Sequence, residues 1–277
     1  MSRAIAYLGL GLMGLPMAKR LISLGYRVTA YDIVAEKTAA ARAAGARAAG
    51  SAPEAASGAE FVLLNLPTTE AVEQVARELP ADARIIDFST IRPATAKALA
   101  AGRHWIDAPV SGGPPASGSG QLTIMAGGEP ADIEAAMPLL RDVSQRCTHM
   151  GPAGSGLAAK MINQLVVGVG HAMMAEAIVL AEGAGIDPAR IPECLAGGLA
   201  DSNLLQRFWP RMAKRDFTPQ GYARQLLKDL EMVHEFAAAS KSPLPLTAQS
   251  LALYRMLVHL GHSELDSTAL IKLYDRD

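Results

Sequence analysis

The chain has 277 residues, enough for one or two domains that each bury a core. Hydrophobic residues make up 50% of it and charged residues 19%, the balance of a globular protein rather than a disordered one. Lys and Arg number 26 against 27 Asp and Glu, which gives a net charge of −1. Because nucleic-acid binding requires a basic excess, we expect no nucleic-acid partner.

Cysteine and histidine positions argue against a metal site. Cys147 and Cys194 have neither disulfide-framework nor metal-site spacing, and no two histidines lie at metal-ligand spacing beside carboxylates. The N-terminus lacks the cleavage site of a signal peptide, and we expect no apolar run that reaches the roughly 20 residues of a membrane span. These features predict a cytoplasmic protein with no metal and no membrane partner.

Short apolar runs alternate with helical patterns over roughly the first 110 residues, which predicts a parallel sheet. The runs are apolar throughout, so helices should cover both faces of this sheet. The predicted strands are 4–8, 27–31, 61–66, 84–87, 106–108 and 122–126. The predicted helices are 15–24, 36–44 and one that begins at residue 69.

The pattern changes after about residue 151, since no proline interrupts a stretch rich in Ala, Val, Leu, Met and Gly over 155–185. As one helix this stretch would be roughly 45 Å long and buried in protein or against another subunit. Further helices are predicted over 189–196, 204–214, 223–240, 245–260 and 267–274. We therefore predict an α/β domain over 1–153, a long interdomain helix over 154–186, an all-helical domain over 187–277, and a homodimer or homotetramer.

A glycine pattern follows the first predicted strand and opens the first predicted helix. Gly9, Gly11 and Gly14 match G-x-G-x-x-G, with Leu12 and Met13 inside the turn. In such a turn the first glycine permits the tight bend, the second lets the backbone approach a pyrophosphate, and the third lets the helix pack on the strand. The N–H groups at the helix start then hold phosphate charge. The chain is therefore predicted to begin with a doubly wound, Rossmann-type dinucleotide-binding domain.

Asp32 ends the second predicted strand, 18 residues after Gly14. A carboxylate at this position accepts hydrogen bonds from a ribose diol and repels a 2′-phosphate. No arginine follows directly, because Ile33 and Val34 come next. The sequence therefore favours NAD over NADP.

A Ser-Gly-Gly turn, Ser111, Gly112 and Gly113, follows the strand predicted at 106–108. Ligands bind where strands of an α/β sheet end, and this turn offers a hydroxyl and accessible N–H groups to a carboxylate. An ordinary glycine turn is the alternative interpretation.

Lys160, Asn163 and Gln164 are spaced i, i+3 and i+4, so they share one face of the long helix. We expect Lys160 to be poorly hydrated, because its neighbours Ala159 and Met161 are apolar, and to have a lowered pKa suited to proton transfer. The alternative is a lysine that covers an exposed stripe, which the amide pair on the same face makes less favourable.

Taken together, these segments resemble the β-hydroxyacid dehydrogenase family, which includes 3-hydroxyisobutyrate dehydrogenases and tartronate semialdehyde reductases. The resemblance covers essentially the whole chain and implies an oxidoreductase that moves a hydride between NAD(P) and a small C3–C4 β-hydroxy acid or its semialdehyde. The matching segments are 8–14, 87–91, 107–113, 160–164, 228–230 and 252–273.

The resemblance also implies roles for individual residues. Lys160 would be the catalytic acid–base, with Asn163 its partner at the substrate oxygen and Gln164 the alternative. The substrate carboxylate would be held by Ser111, Gly112 and Gly113. The cofactor would be bordered by Leu66, Pro67 and Thr90, and approached from the helical domain by Lys228.

The chain departs from the family pattern near the expected substrate, with Ser117 where Ala is usual and Gln121 where Thr is usual. The segment 197–200 resembles the tartronate semialdehyde reductase version more than the hydroxyisobutyrate version.

Two alternative functions fit the same scaffold. An imine reductase is disfavoured because the catalytic lysine is replaced in such relatives, and a non-catalytic nucleotide-binding module is disfavoured because both Lys160 and the Ser-Gly-Gly turn are present.

Overall fold

The computed structural model describes residues 3–275 and divides into two compact units, the first ending at Lys160 and the second beginning at Met161. Strands of the first unit, within the described residues, are β1 Ala4–Leu8, β2 Arg27–Tyr31, β3 Arg47–Ala48, β4 Phe61–Leu64, β5 Ile85–Asp87, β6 Trp105–Asp107, β7 Val110–Ser111, β8 Leu122–Gly127 and β9 Ser144–Gly151. Its helices before residue 155 are α1 Gly14–Ser23, α2 Ala35–Ala43, α3 Ala52–Ala56, α4 Thr69–Glu78, α5 Pro93–Leu99, α6 Gly113–Ser119 and α7 Pro130–Asp142.

These strands form one sheet in the order β3-β2-β1-β4-β5-β6-β8-β7, with β9 paired to β8. The pairs from β3 through β6 are parallel, as predicted. The prediction is wrong at the far edge, where β6 and β7 each pair with β8 in antiparallel fashion. Only the short helix α6 joins β7 to β8, so the chain reverses direction there instead of crossing over to a parallel strand.

Both faces of the sheet are covered by helices. Neighbouring residues of β1 belong to different hydrophobic clusters, since Ile5 and Tyr7 pack on one face and Ala6 and Leu8 on the other. Successive side chains of a strand point to opposite faces, so each face of this central strand packs against a separate core. This is the doubly wound arrangement that the continuous apolar runs predict.

The order of the strands reverses its direction between β1 and β4. From β1 the chain proceeds to β2 and β3 on one side, and β4 then begins the series on the other side. In open α/β sheets, ligands bind outside the carboxyl ends of the strands at such a switch point. The glycine turn after β1 and the Leu66–Pro67 turn after β4 both follow strands at this position.

Helix α8 spans Ser155–Gly183 and agrees with the predicted uninterrupted helix. By length and composition it could cross a membrane, with a mean hydropathy of 1.6 over its most apolar window, 44% of which is buried in the protein. This corrects the sequence-based expectation that no run would be long and apolar enough. The same composition is typical of a helix in the core of a large soluble protein, so the helix is weak evidence for a membrane.

Within the described residues the second unit is built from helices, with one isolated antiparallel bridge between Tyr222 and Asp266. After α8 it contains a 3₁₀ turn at Pro188–Arg190, α9 Ile191–Leu195, α10 Asn203–Ala213, α11 Ala223–Ala239, α12 Pro245–His259 and a 3₁₀ segment at Ser267–Leu273. The last segment was predicted as a helix over 267–274, and the structure shows it to be of the 3₁₀ type. Its start is fixed by Asp266, whose buried carboxylate accepts hydrogen bonds from the Thr268 N–H and hydroxyl.

His171 lies in the interior of this second unit. It is 1% exposed, its Nδ1 is 3.1 Å from the Tyr254 hydroxyl, and its ring meets Phe208 edge to face. Burial lowers its pKa to about 4, against the charge of Asp266, which raises it. The histidine is therefore a neutral packing residue under ordinary conditions.

Candidate active site

The glycine turn after β1 is closely packed against its surroundings. Gly9 has a positive φ of 93° and lies against the backbone carbonyl of Asn65, which a Cβ atom would overlap. Gly14 lies against the Gly9 carbonyl, which likewise leaves no room for a Cβ atom. Gly11 differs, because nothing lies within 4 Å of the position that its Cβ would take. Two glycines therefore build the turn, and the third keeps one side of it open.

Helix α1 begins inside this turn without a capping side chain. Its N-cap residue, Met13, makes no side-chain cap, and the first turn holds no acidic residue. The N-terminus of a helix carries partial positive charge and favours an anion. The open Gly11 side and this bare helix start fit the pyrophosphate of a dinucleotide.

Asp32 lies just after β2 and is tied to the glycine turn. One carboxylate oxygen accepts the Leu10 N–H at 2.7 Å and the other accepts the Val34 N–H at 2.9 Å. The Lys37 ammonium is 3.9 Å from the second oxygen, and the Asp32 side chain is 8% exposed. The carboxylate is thus held beside the turn, where a ribose would follow the phosphate.

The turn after β4 is held by a chain of hydrogen bonds from β5. The Leu66 N–H donates to the Ser89 hydroxyl at 2.8 Å, and the Ser89 N–H donates to the buried Asp87 carboxylate at 2.9 Å. The Leu66 side chain lies against Gly9, so this turn borders the glycine turn at the switch point, and Pro67 follows directly. Thr90 follows Ser89 directly at the end of β5.

Helix α8 begins on a buried carboxylate that the sequence analysis gave no role. Asp107 ends β6 with no exposed surface, and its two oxygens accept the Gly154 N–H at 2.7 Å and the Leu157 N–H at 2.9 Å. Burial raises the pKa of this carboxyl group above its ordinary value, although the N–H groups that it accepts oppose the shift. The available signal was a carboxylate within the otherwise apolar strand predicted at 106–108.

Lys160 lies one turn into α8 and is 7% exposed. Its Nζ donates to the backbone carbonyl of Val110 at 2.7 Å, and Val110 directly precedes Ser111. Gly112 has a φ of 133° and precedes the first residue of α6, Gly113. The expected acid–base and the expected carboxylate turn therefore lie next to each other within the first unit. The alternative of a lysine on an exposed stripe is wrong.

The remaining candidate residues form a network in the second unit. The Asn163 amide donates to the Gln164 carbonyl oxygen at 2.8 Å, and the Gln164 amide donates to the Asp229 carboxylate at 2.6 Å. The Lys228 ammonium is 3.2 Å from the other oxygen of Asp229. Asp229 therefore connects Lys228 to the amide pair, although the sequence analysis assigned it no role.

Helix α6 carries one further contact to the glycine turn. The buried Ser117 hydroxyl donates to the Met13 carbonyl at 2.7 Å. This is one of the positions where the chain departs from the family pattern.

Within residues 3–275, no three His, Cys, Asp or Glu side chains cluster so as to hold a metal ion.

Comparisons with known proteins cover both units. Residues 4–151 match the family described as the NAD binding domain of 6-phosphogluconate dehydrogenase. Residues 154–274 match the family described as the NAD-binding domain of NADP-dependent 3-hydroxyisobutyrate dehydrogenase. The two matches follow each other along the chain and leave few residues outside them.

Individual relatives agree with these families over nearly their full lengths. The chain is 33% identical to an NAD-dependent L-serine dehydrogenase of Pseudomonas aeruginosa, covering 99% of this chain and 98% of the relative. It is also 33% identical to the 2-hydroxy-3-oxopropionate reductase of Escherichia coli, covering 97% and 96%. A solved structure of Mycobacterium tuberculosis 3-hydroxyisobutyrate dehydrogenase with L-serine has a TM-score of 0.89 at 32% identity and covers 100% of both chains.

These relatives are dehydrogenases and a reductase of small hydroxy acids, and the L-serine dehydrogenase is NAD-dependent. The glycine turn, the uncapped start of α1 and the buried lysine are compatible with such a reaction. The chain therefore belongs to the β-hydroxyacid dehydrogenase family of NAD(P)-dependent oxidoreductases.

Proposed function

We propose that this enzyme interconverts a C3–C4 β-hydroxy acid and its semialdehyde with Lys160 as the catalytic acid–base. The observation that carries the proposal is the 2.7 Å hydrogen bond from the Lys160 Nζ to the Val110 carbonyl. It holds the amine beside the Ser111–Gly113 turn, at the carboxyl end of the sheet. A substrate whose carboxylate binds that turn would bring its β-oxygen to the amine.

Lys160 supplies the proton transfer in both directions. In oxidation the neutral amine accepts the hydroxyl proton as the C–O double bond forms. In reduction the ammonium donates a proton to the oxygen and stabilises its developing negative charge. The bound nicotinamide cofactor supplies the hydride acceptor or donor. Asn163 would orient the substrate oxygen from the next turn of α8, with Gln164 as the alternative.

The substrate carboxylate would be held by Ser111, Gly112 and Gly113. The serine supplies a hydroxyl donor, and the two glycines expose backbone N–H groups at the start of α6. The relatives include an L-serine dehydrogenase and a 2-hydroxy-3-oxopropionate reductase, and each of these substrates is a three-carbon acid with oxygen on the β-carbon. Together with the 197–200 segment, this supports a compact substrate of the tartronate semialdehyde type, with 3-hydroxyisobutyrate as the second choice.

The cofactor would lie across the glycine turn. Its pyrophosphate would accept N–H groups at Gly11, Leu12, Met13 and Gly14, and Leu66, Pro67 and Thr90 would border it on the neighbouring strands. Lys228 would approach it from the helical domain. The position of the Asp32 carboxylate beside the turn favours a ribose diol, and hence NAD over NADP.

The exposed face of α8 supports a homodimer or homotetramer. Ile162, Val166, Met173 and Leu180 are 64%, 56%, 56% and 75% exposed. At 100° per residue these four positions fall within roughly 40° of one another, which makes one apolar stripe. The simplest partner to bury this stripe is a second copy of the chain. A stripe buried in this way is consistent with a cytoplasmic enzyme without a membrane or nucleic-acid partner.

Replacing Lys160 with Ala removes the acid–base but leaves the glycine turn intact. We expect kcat to fall by at least about 10³-fold while the Kd for NADH stays within about threefold. Turnover is measured by nicotinamide absorbance on a panel of C3–C4 hydroxy acids and semialdehydes, and Kd by NADH fluorescence. Lys19→Ala, an exposed lysine of α1, is the matched control and should retain full activity. Ordinary turnover by the Lys160 variant would rule out the mechanism.

The substitution Gly11→Ala tests nucleotide binding without disturbing the fold. Because nothing lies within 4 Å of its Cβ position, Gly11→Ala should fold with an unchanged Tm and yet obstruct the pyrophosphate. We expect the Kd for NADH to rise at least about tenfold. Gly183→Ala, an equally open glycine at the end of α8, should change neither quantity. An unchanged Kd for NADH in Gly11→Ala would show that the pyrophosphate does not bind beside Gly11.

Asp32→Ser tests the cofactor preference. Removal of the carboxylate should raise the ratio of NADP to NAD efficiency, in kcat/KM, by at least about tenfold, because the repulsion of the 2′-phosphate is lost. Glu36→Ser, an exposed carboxylate four residues further on, should leave the ratio within about twofold. A wild-type enzyme that already prefers NADPH would contradict the NAD assignment.

A charged stripe on α8 should disrupt the oligomer. Light scattering of the wild type is expected to give two or four times the 29.0 kDa chain mass. The double variant Val166→Glu/Met173→Glu should lower that mass, since two carboxylates would have to be desolvated in the interface. Leu246→Glu, an equally exposed apolar position on α12, is the control and should not lower it. A monomeric wild type would refute the oligomer.

A further inference from the structure

We infer that Asp107 is a positioning residue that holds helix α8, and with it Lys160, in register for proton transfer. The inference rests on the proposed role of Lys160. Asp107 belongs to none of the groups assigned to substrate or cofactor. Its contacts are to the backbone of the helix that carries the catalytic lysine.

The Asp107 carboxylate replaces the acceptors that the start of a helix lacks. The first N–H groups of an α-helix have no carbonyl partner one turn earlier. Here Gly154, directly before α8, and Leu157, in its first turn, donate to the two oxygens of one buried carboxylate, at 2.7 Å and 2.9 Å. A charged acceptor binds such N–H groups more strongly than a neutral one, and it complements the positive end of the helix.

Two glycines allow the helix to come this close. A Cβ on Gly127 of β8 would lie 2.6 Å from one Asp107 oxygen, and a Cβ on Gly156 would lie 2.9 Å from the other. The carboxylate therefore fits between β8 and the first turn of α8 without spare room. The helix can neither slide toward β6 nor rotate at its start without losing a hydrogen bond.

Segments 107–110 and 154–160, which contact each other at Asp107, make a second contact at Lys160. Val110 follows Asp107 by three residues, and Lys160 follows Leu157 by three residues. The Lys160 Nζ donates to the Val110 carbonyl at 2.7 Å. Segment 107–110 thus holds segment 154–160 at both ends, first through the helix start and then through the amine. The position of the amine depends on the first contact, because the helix between them is rigid.

A purely structural role would give a different result from a positioning role. A stabilising residue affects cofactor binding and turnover together, through the fraction of folded enzyme. A positioning residue affects kcat and leaves cofactor affinity unchanged, since a misplacement of about 1 Å at the reacting atoms costs on the order of 10²-fold in rate. The effect should also vanish when the lysine is absent.

The first experiment compares Asp107→Asn with Asp142→Asn. The asparagine keeps the shape of Asp107 but sets an amide donor against one of the two helix N–H groups. We expect kcat to fall by about 10- to 100-fold while the Kd for NADH stays within about threefold. Asp142, whose carboxylate accepts the Tyr26 hydroxyl at 2.7 Å in the same unit, is the matched control and should keep kcat within about twofold.

The second experiment is a double-mutant cycle with Lys160→Ala. If Asp107 acts through the lysine, Asp107→Asn should not lower the residual rate of Lys160→Ala further. If Asp107→Asn does not fold, Gly127→Ala displaces the carboxylate without changing its charge and should cause the same selective loss in kcat. A kcat within twofold of wild type in both variants, or an equal loss in the Lys160→Ala background, would overturn the inference. Full activity of Lys160→Ala itself would instead overturn the proposed function.

Discussion

A helix that starts inside an α/β fold must find acceptors for its first N–H groups, and the two helices nearest the chemistry solve this problem differently. Helix α8 starts on the carboxylate of Asp107, which accepts N–H groups from Gly154 and Leu157. Helix α1 starts with no side-chain cap and no acidic residue in its first turn. The first arrangement fixes a helix to the sheet, and the second leaves a helix start available to an anion. The rest of the site depends on this difference.

The contacts of helix α8 bring the proposed acid–base next to the turn proposed to bind the substrate carboxylate. Asp107 and Val110 belong to consecutive short strands, and between them they hold both the start of α8 and the amine of Lys160. Ser111 comes next in the chain, so the residues proposed to bind the carboxylate are covalently continuous with those that hold the lysine. On the other side of the sheet centre, Asp32 performs a similar task by accepting the Leu10 N–H of the glycine turn. Buried or half-buried carboxylates thus organise both halves of the first unit.

The central part of the fold could be predicted from the sequence because its signals are local. The strands at 4–8 and 27–31 and the start of the helix at Thr69 agree with the structure to the residue. Helix α6 was not among the predicted helices. Its Pro114 and Pro115 lie in the first turn, where the missing N–H of proline has no partner to lose. Strand β9 was missed because most of its residues are exposed on the sheet edge, so it lacks the apolar run that marked the central strands.

The candidate site divides in the same way. The spacing of their motifs predicts the local geometry of Gly9, Gly14 and Lys160. In the structure the two glycines are tightly packed and the lysine is buried, as predicted. Asp107 and Asp229 could not be assigned from spacing, because their partners lie 47 and 65 residues away in the chain. Only the fold reveals that Asp107 caps helix α8 and that Asp229 joins Gln164 to Lys228. Contacts between segments that are distant in the chain cannot be predicted from the residue spacing of a single sequence.

A crystal structure with NAD⁺ and a three-carbon β-hydroxy acid bound would show where the substrate lies relative to Lys160. The proposed mechanism places the substrate carboxylate on the Ser111–Gly113 turn and the Lys160 Nζ within hydrogen-bond distance of the β-hydroxyl oxygen, about 2.6 to 3.2 Å. A complex in which the amine faces bulk solvent, or in which the substrate binds away from the sheet edge that carries Val110, would contradict it.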